Sequence, residues 1–199
     1  MNKTAAALAV LAVMAAVPVS AMAQTYPAKT VRVVIPWPAG GSNDVVGRIV
    51  MQKLSEALGQ QFVVDNRGGA AGSIGADIVA KAPGDGYTIM VHSSSHTVSP
   101  STFAKLPFDT LNDFAGVTPI SSTPNVLVMS PAKNIKTLQE LLTAARAKPG
   151  SMNFASAGQG SATHLNAEKF KLAAKIEATN IPFKGSSEAV TEIIAGRVD

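Results

Sequence analysis

Residues 31–44 read VRVVIPWPAGGSND, a run of apolar residues followed by two glycines and a polar Ser-Asn-Asp sequence. The apolar run is typical of a buried strand, and the glycines are typical of a tight turn. Apolar residues then recur every three or four positions as far as Leu58, and Gly59 is a typical residue to end a helix. The sequence therefore predicts a strand at 31–35 and a helix from about Asp44 to Leu58.

The Gly40-Gly41 turn has two interpretations. Glycine has no Cβ, so a ligand can approach its backbone closely, and the first amides of a helix have no partner within the helix and attract an anion. The turn would then bind a carboxylate or phosphate. Alternatively, Ser42, Asn43 or Asp44 caps the helix and the glycines only form the turn. The spacing alone leaves both interpretations open.

The first 23 residues have the pattern of a cleavable signal peptide. Lys3 precedes an apolar run from Ala5 to Val17, and Ala21-Met22-Ala23 matches a small-residue cleavage site. The run is too short for a transmembrane span. We therefore expect export to the periplasm and a mature chain of 176 residues that begins at Gln24.

Composition excludes several classes of site. The chain has no cysteine, which rules out disulfides and thiolate metal sites. Loss of Lys3 lowers the formal net charge from +4 to +3, and the basic residues form no cluster, so we expect no nucleic-acid partner. His92 and His96 lie in a predicted loop with no acidic neighbour. We therefore expect neither a metal nor a cofactor.

Strand and helix patterns alternate along the rest of the chain, which predicts an α/β fold of parallel sheets. We place a boundary between two lobes, 24–122 and 123–199, in the proline-rich region near 121–124. The chain ends after Gly196, where the alternation would need another strand, so we expect the second lobe to be incomplete. The further elements predicted are strands at 62–66, 87–91, 115–120, 126–129, 152–155 and 178–182, and helices at 73–80, 138–147, 161–172 and 187–195.

Two further segments resemble ligand loops. In a parallel sheet the loops after neighbouring strands share one edge, so His92–Thr97 should lie beside Trp37–Ser42. Its polar members Ser94, Ser95 and His96 could bind a ligand, or the loop could simply be solvated. The second lobe repeats the glycine turn at 153–165, where Ser161 can cap a helix and the amides of 160–163 face outward. Two such turns suggest a ligand held between lobes.

The turns do not match the common enzyme motifs. A dinucleotide fingerprint would need glycine at Thr163, and a P-loop would need a Gly-Lys-Ser or Gly-Lys-Thr ending. The segment 71–75 resembles a nucleophile elbow but begins with alanine and follows a long loop. An α/β enzyme acting on a carboxylated or phosphorylated small molecule remains the alternative to a binding protein.

Taken in order, these motifs resemble the Bug (TctC-like) periplasmic solute receptors of tripartite tricarboxylate transporters. The resemblance extends over essentially the whole mature chain. The segments that carry it are Tyr26-Pro27, 36–44, Leu58-Gly59-Gln60, Asp65-Asn66-Arg67, 84–88, 106–109, Asp113-Phe114, 156–165 and 182–185.

The resemblance implies a two-lobed α/β binding protein that closes on a small di- or tricarboxylate, or a related organic acid, without catalysis. It also implies delivery of that ligand to membrane permease subunits, and we expect a monomer. Family members continue well past Asp199. The family's carboxylate loops correspond to Trp37, Pro38, Ala39, Gly40, Gly41 and Ser42 and to Gly158, Gln159, Gly160, Ser161 and Thr163, with Lys184 as a further candidate.

Export gives a direct test of the signal-peptide assignment. Lys3, the apolar run and Ala21-Met22-Ala23 occur in the order that signal peptidase requires. N-terminal sequencing of protein recovered from the periplasm should therefore begin at Gln24. Periplasmic protein that still begins at Met1 would contradict the assignment.

Overall fold

A computed structural model describes residues 25–199, so the predicted signal peptide and the cleavage position lie outside the described residues. Parallel strands alternate with helices, as predicted. Short 3₁₀ turns occupy 70–72 and 131–133. The main elements are β1 Val31–Ile35, α1 Ser42–Leu58, β2 Phe62–Asn66, α2 Ser73–Ala80, β3 Thr88–Met90, α3 Ser95–Thr102, α4 Leu138–Ala147, β4 Met152–Ser156, α5 Ala162–Ala174, β5 Ala178–Pro182 and α6 Ser186–Ile194.

The first sheet places β1 between β2 and β3, with all three strands parallel. Val31, Val33 and Ile35 of β1 are fully buried and belong to the main apolar core. A continuous apolar run suits a central parallel strand because helices cover both of its faces. This burial fixes the position from which the chain enters the Trp37–Ser42 turn.

The second sheet pairs β4 with β5, again in parallel, with Met152 opposite Ala178 and Ser156 opposite Pro182. Asp199 lies beside β4, where its Oδ2 accepts a 2.8 Å hydrogen bond from the Asn153 amide. The Ser130 amide donates to the Asp199 carbonyl over 2.8 Å. The last residues therefore run along the edge of β4, where the sequence predicts that a further strand begins.

Two predicted strands do not form. Segments 115–120 and 126–129 have no regular secondary structure, and Val117 and Val126 are 88% and 78% exposed. Their apolar residues favour extended backbone, but a strand also needs a neighbour to satisfy its amides and carbonyls. Within residues 25–199, neither segment has such a neighbour. The described helices include none long and apolar enough to cross a bilayer.

Helix α3 was not expected, since the sequence predicts a loop over His92–Thr97. Its serines, threonines and internal Pro100 are poor helix formers. Side chains compensate: Ser99 Oγ donates to the Ser95 carbonyl over 2.8 Å, and both serines are buried. Tertiary burial therefore overrides the weak local preference.

Candidate functional site

Three helix N-termini open into one cavity of about 80 Å³ between the two sheets. The sequence predicted ligand-binding turns at the N-termini of α1 and α5. The contribution of α6 is seen only in the structure. Ser93, in the loop after β3, and Asn125, in the irregular segment 115–130, complete the wall. The lining residues are Trp37, Pro38, Gly41, Ser42, Asn43, Ser93, Asn125, Ala157, Ser161, Ala162, Thr163, Gly185, Ser186 and Ser187.

The first turn is held by the buried carboxylate of Asp44, which is 3% exposed. It accepts hydrogen bonds from the Gly40 amide at 2.9 Å, from Asn66 Nδ2 at 2.8 Å and from Arg48 Nε at 2.9 Å. Burial alone would raise the pKa of the Asp44 carboxyl, but the hydrogen bonds from Arg48, Gly40 and Asn66 outweigh it and lower the pKa. Asp44 is therefore a fixed anion that organises the turn.

This arrangement argues against the capping interpretation of the first turn. The N-cap residue of α1 is Gly41, and it makes no side-chain capping bond. Asp44 bonds to Gly40, which precedes the helix, rather than to the first helical amides. Within residues 25–199, the amides of Ser42 and Asn43 have no acceptor. They remain available to a ligand.

The second turn is capped, as predicted, by Ser161, whose Oγ accepts from the His164 amide at 3.3 Å. Two of the four amides predicted to face outward are already occupied. The Gly160 amide donates to His164 Nδ1 at 3.1 Å, and the Ser161 amide donates to the Gly158 carbonyl at 3.1 Å. The amides of Ala162 and Thr163 stay unpaired within the described chain.

The third turn, at the start of α6, was missed by the sequence analysis. Strand β5 runs into Gly185-Ser186-Ser187, which repeats the strand–glycine–serine pattern of the other two turns and could have identified it. The Lys184 amide is satisfied by Glu188 Oε2 at 3.0 Å. Among the described residues, the amides of Ser186 and Ser187 lack an acceptor.

The turns of the two sheets touch each other. A Cβ added to Gly40 would lie 3.7 Å from Ser187 Oγ, and one added to Gly185 would lie 2.9 Å from Pro38 Cγ. Gly160 similarly faces Thr102, with 3.1 Å between its hypothetical Cβ and Thr102 Oγ1. The structure therefore has a closed cleft in which helix ends from both sheets are neighbours.

The cavity attracts anions without a charged side chain. Its lining contains no Asp, Glu, Lys or Arg, and three helices direct the positive ends of their dipoles toward it. The unpaired amides supply hydrogen-bond donors at the same places. Within residues 25–199, no group of three His, Asp or Glu side chains could hold a metal ion. The arrangement can bind a small anion through the backbone.

The remaining predicted site residues lie elsewhere. Ala39 and Gly40 belong to the first turn but do not line the cavity, and neither do Ser94, Ser95 and His96. In the β3 loop it is Ser93 that lines the cavity, and its Oγ lies 2.7 Å from Ser95 Oγ. The His96 ring packs against Phe108 and Phe114, with centroids 5.9 and 4.7 Å away. Gly158, Gln159 and Lys184 line a second, neighbouring cavity.

A buried histidine supports the β3 loop. The His92 ring packs edge-on against Trp37, with centroids 5.9 Å apart, and its Nδ1 accepts from the Ser93 amide at 2.8 Å. Burial, with a smaller contribution from His96, lowers the pKa of His92 to about 3. His92 is therefore neutral at physiological pH and acts as a packing residue behind the cavity wall.

A family model described as "Tripartite tricarboxylate transporter family receptor" (TctC) matches residues 46–199. The chain belongs to this family. It is 40% identical over 185 residues to the protein BugT of Bordetella pertussis (strain Tohama I). The matched region covers 92% of this chain and 56% of BugT. The chain thus spans about half the length of this relative.

Solved structures agree with this membership. Rpa4515 of R. palustris, solved with adipate, has 34% identity and a TM-score of 0.84 over 87% of this chain and 58% of its own. MatC (Rpa3494) from Rhodopseudomonas palustris, solved with malate, has 29% identity and a TM-score of 0.78 over 87% of this chain and 60% of its own. The predicted periplasmic-binding-protein-like α/β fold is therefore confirmed, as is the expectation that the chain is shorter than its relatives. Family members are solute-binding proteins.

The buried His92 predicts a loss of stability in mild acid. Its pKa is about 3 in the folded protein and 6.5 in the unfolded chain, so between these values only the unfolded chain binds the proton and stability falls as pH falls. From pH 7 to pH 5 this site should remove about 2 kcal/mol from the free energy of unfolding. Urea denaturation at the two pH values measures it.

The variant His92→Phe keeps an aromatic ring but cannot take up the proton. Its free energy of unfolding should fall by about 2 kcal/mol less than that of the wild type between pH 7 and pH 5. Equal losses in the two proteins would show that His92 does not carry the acid sensitivity.

Proposed function

We propose that this protein captures a small organic acid, a di- or tricarboxylate or a related acid, in the interlobe cleft and delivers it to a membrane transporter. The observation that carries the proposal is the cavity in which the unpaired N-terminal amides of α1, α5 and α6 meet without a charged side chain. Such amides need an acceptor, and a carboxylate supplies oxygens for several of them.

Carboxylate binding through these amides is physically sufficient. Hydrogen bonds from amides to an ionised oxygen are shorter and stronger than those between neutral groups. One carboxylate would lie at Ser42 and Asn43, and a second would lie at Ala162 and Thr163 or at Ser187. The adipate and malate bound by the two structural relatives support carboxylates as the ligand class.

The family membership supports a transport role. We propose that the protein is exported, acts as a monomer in the periplasm and passes its ligand to the permease subunits of a tripartite tricarboxylate transporter. The boundary between its lobes lies near 121–124, between the two sheets. The family description of a transporter receptor supports this role.

We propose binding without chemical conversion. The cavity has hydroxyl groups from Ser42, Ser161 and Thr163, but a nucleophile would need a base beside it. Among the described residues, no histidine ring nitrogen is hydrogen-bonded to a hydroxyl in the cavity, and His164 Nδ1 is occupied by the Gly160 amide. An organic acid incubated with the protein should therefore be recovered unchanged, whereas its conversion would support the enzyme alternative.

Valine at Gly40 or Gly160 should abolish ligand binding. Both glycines have positive φ, where a valine strains the turn, and the added side chains would also extend toward Ser187 and crowd Thr102 across the cleft. For the wild type, malate or adipate at about 100 times its dissociation constant should raise the free energy of unfolding by roughly 2.7 kcal/mol. This ligand-induced shift, measured by thermal melting, should vanish in Gly40→Val and Gly160→Val.

Two other glycines provide matched controls. Gly59 and Gly150 also have positive φ, at +67° and +74°, but an added Cβ would meet nothing within 4 Å. Gly59→Val and Gly150→Val should therefore carry similar backbone strain and keep the ligand-induced shift. A folded Gly40→Val or Gly160→Val variant with the full shift would mean that the ligand binds elsewhere.

A further inference from the structure

The second turn is held in place by a histidine ring. The Gly160 amide donates to His164 Nδ1 over 3.1 Å, and Ser161 Oγ accepts from the His164 amide over 3.3 Å. Gly160, Ser161 and His164 are all buried. The position of the turn therefore depends on the acceptor that His164 Nδ1 supplies.

Gly160 lies where the second turn meets the first lobe. Its φ is +79°, and a Cβ built there would lie 3.1 Å from Thr102 Oγ1 and 3.4 Å from Phe103 Cε2. The amides of Ala162 and Thr163, which lack an acceptor in the described part of the chain, follow in the same turn. A shift of Gly160 would therefore move both the contact across the cleft and the donors offered to a ligand.

The hydrogen bond between Gly160 and His164 requires a neutral ring. Because Nδ1 accepts, the single ring proton lies on Nε2, and a second proton can add only at Nδ1. The protonated Nδ1 would be a donor facing the Gly160 amide, which is also a donor, so the bond would break. Imidazole is the side chain that ordinarily changes its charge between about pH 5 and 8. The second turn thus depends on a contact that acid can remove.

The surroundings of the ring offset part of the charge that protonation adds. His164 Nε2 lies 3.8 Å from Glu168 Oε1, and Lys171 Nζ lies 2.9 Å from the same oxygen. The Phe154 ring of β4 stacks on the imidazole, with centroids 6.4 Å apart. Within residues 25–199, Glu168 alone forms an ion pair with His164, and β4 and the turn contribute no charged group to it. Loss of the hydrogen bond to Gly160 should therefore outweigh the remaining attraction for an anion.

We propose that His164 is a positioning residue for the ligand and that its protonation weakens ligand binding. The neutral ring fixes Gly160, and the fixed turn presents the amides of Ala162 and Thr163 to the ligand. The protonated ring releases the turn. This inference rests on the proposed function, because it requires an anion at the second turn, and it adds a dependence of affinity on pH.

Two variants separate the acceptor from the rest of the ring. Oδ1 of asparagine is bonded to Cγ, as Nδ1 of histidine is, so His164→Asn keeps an acceptor for Gly160 but takes up no proton. The oxygen of glutamine is one bond further out, so His164→Gln removes the acceptor from that position. In calorimetric titrations with succinate, malate and adipate at pH 8, His164→Asn should bind about fivefold more tightly than His164→Gln.

The pH profile gives a readout that a purely structural role would not change. From pH 8 to pH 6 the wild type should lose about threefold more affinity than His164→Asn loses. The acids and His92 titrate alike in both proteins, so the difference belongs to His164. In NMR spectra of the unliganded wild type, the Gly160 amide resonance should move over the same pH range, and in His164→Asn it should not.

The outcomes separate the inference from the proposed function. Equal losses of affinity in the wild type and His164→Asn would overturn the inference, and so would tighter binding by the wild type in acid. A folded His164→Asn variant that binds no better than His164→Gln would also overturn it. In each case the acids still bind at pH 8, so the proposed function stands. If folded wild-type protein binds none of the three acids at pH 8, the proposed function fails and the inference fails with it.

Discussion

The site depends on a general constraint of helices, since the first amides of a helix have no acceptor within it. At three helix ends in this protein, such amides face one small cavity that has no charged lining. Each helix therefore brings hydrogen-bond donors and partial positive charge to the same place. A carboxylate would satisfy both without a buried arginine.

Asp44 makes the first of these helix ends possible. Its buried carboxylate lies close to a cavity that should attract anions, and an uncompensated charge there would repel the ligand. Arg48, Asn66 and the Gly40 amide all donate to it, and the Arg48 guanidinium compensates its charge. Asn66 also donates to the Trp37 carbonyl at 3.0 Å. One network thus fixes the turn and leaves the amides of Ser42 and Asn43 free.

Sequence patterns predicted the elements whose structure is determined by neighbouring residues in the chain. The apolar run of β1, the Gly59 end of α1 and the Ser161 cap of α5 all follow from residue type and spacing. The predictions of a loop at His92–Thr97 and of strands at 115–120 and 126–129 were wrong. The structure of these segments depends on burial and on partners distant in sequence. The same limit applies to the site. Spacing indicated two glycine turns but could not show that the N-terminus of α6 lies beside them. It also could not show that acceptors within the protein bind the amides of Gly40 and Gly160.

Amide NMR tests most directly whether backbone amides at the three helix ends bind the carboxylate. Titration of ¹⁵N-labelled protein with succinate should move the amide resonances of Ser42, Asn43, Ala162, Thr163, Ser186 and Ser187 more than any others. Those of Gly40 and Gly160, which donate within the protein, should move less. Saturable shifts confined to residues outside these three turns would contradict the account.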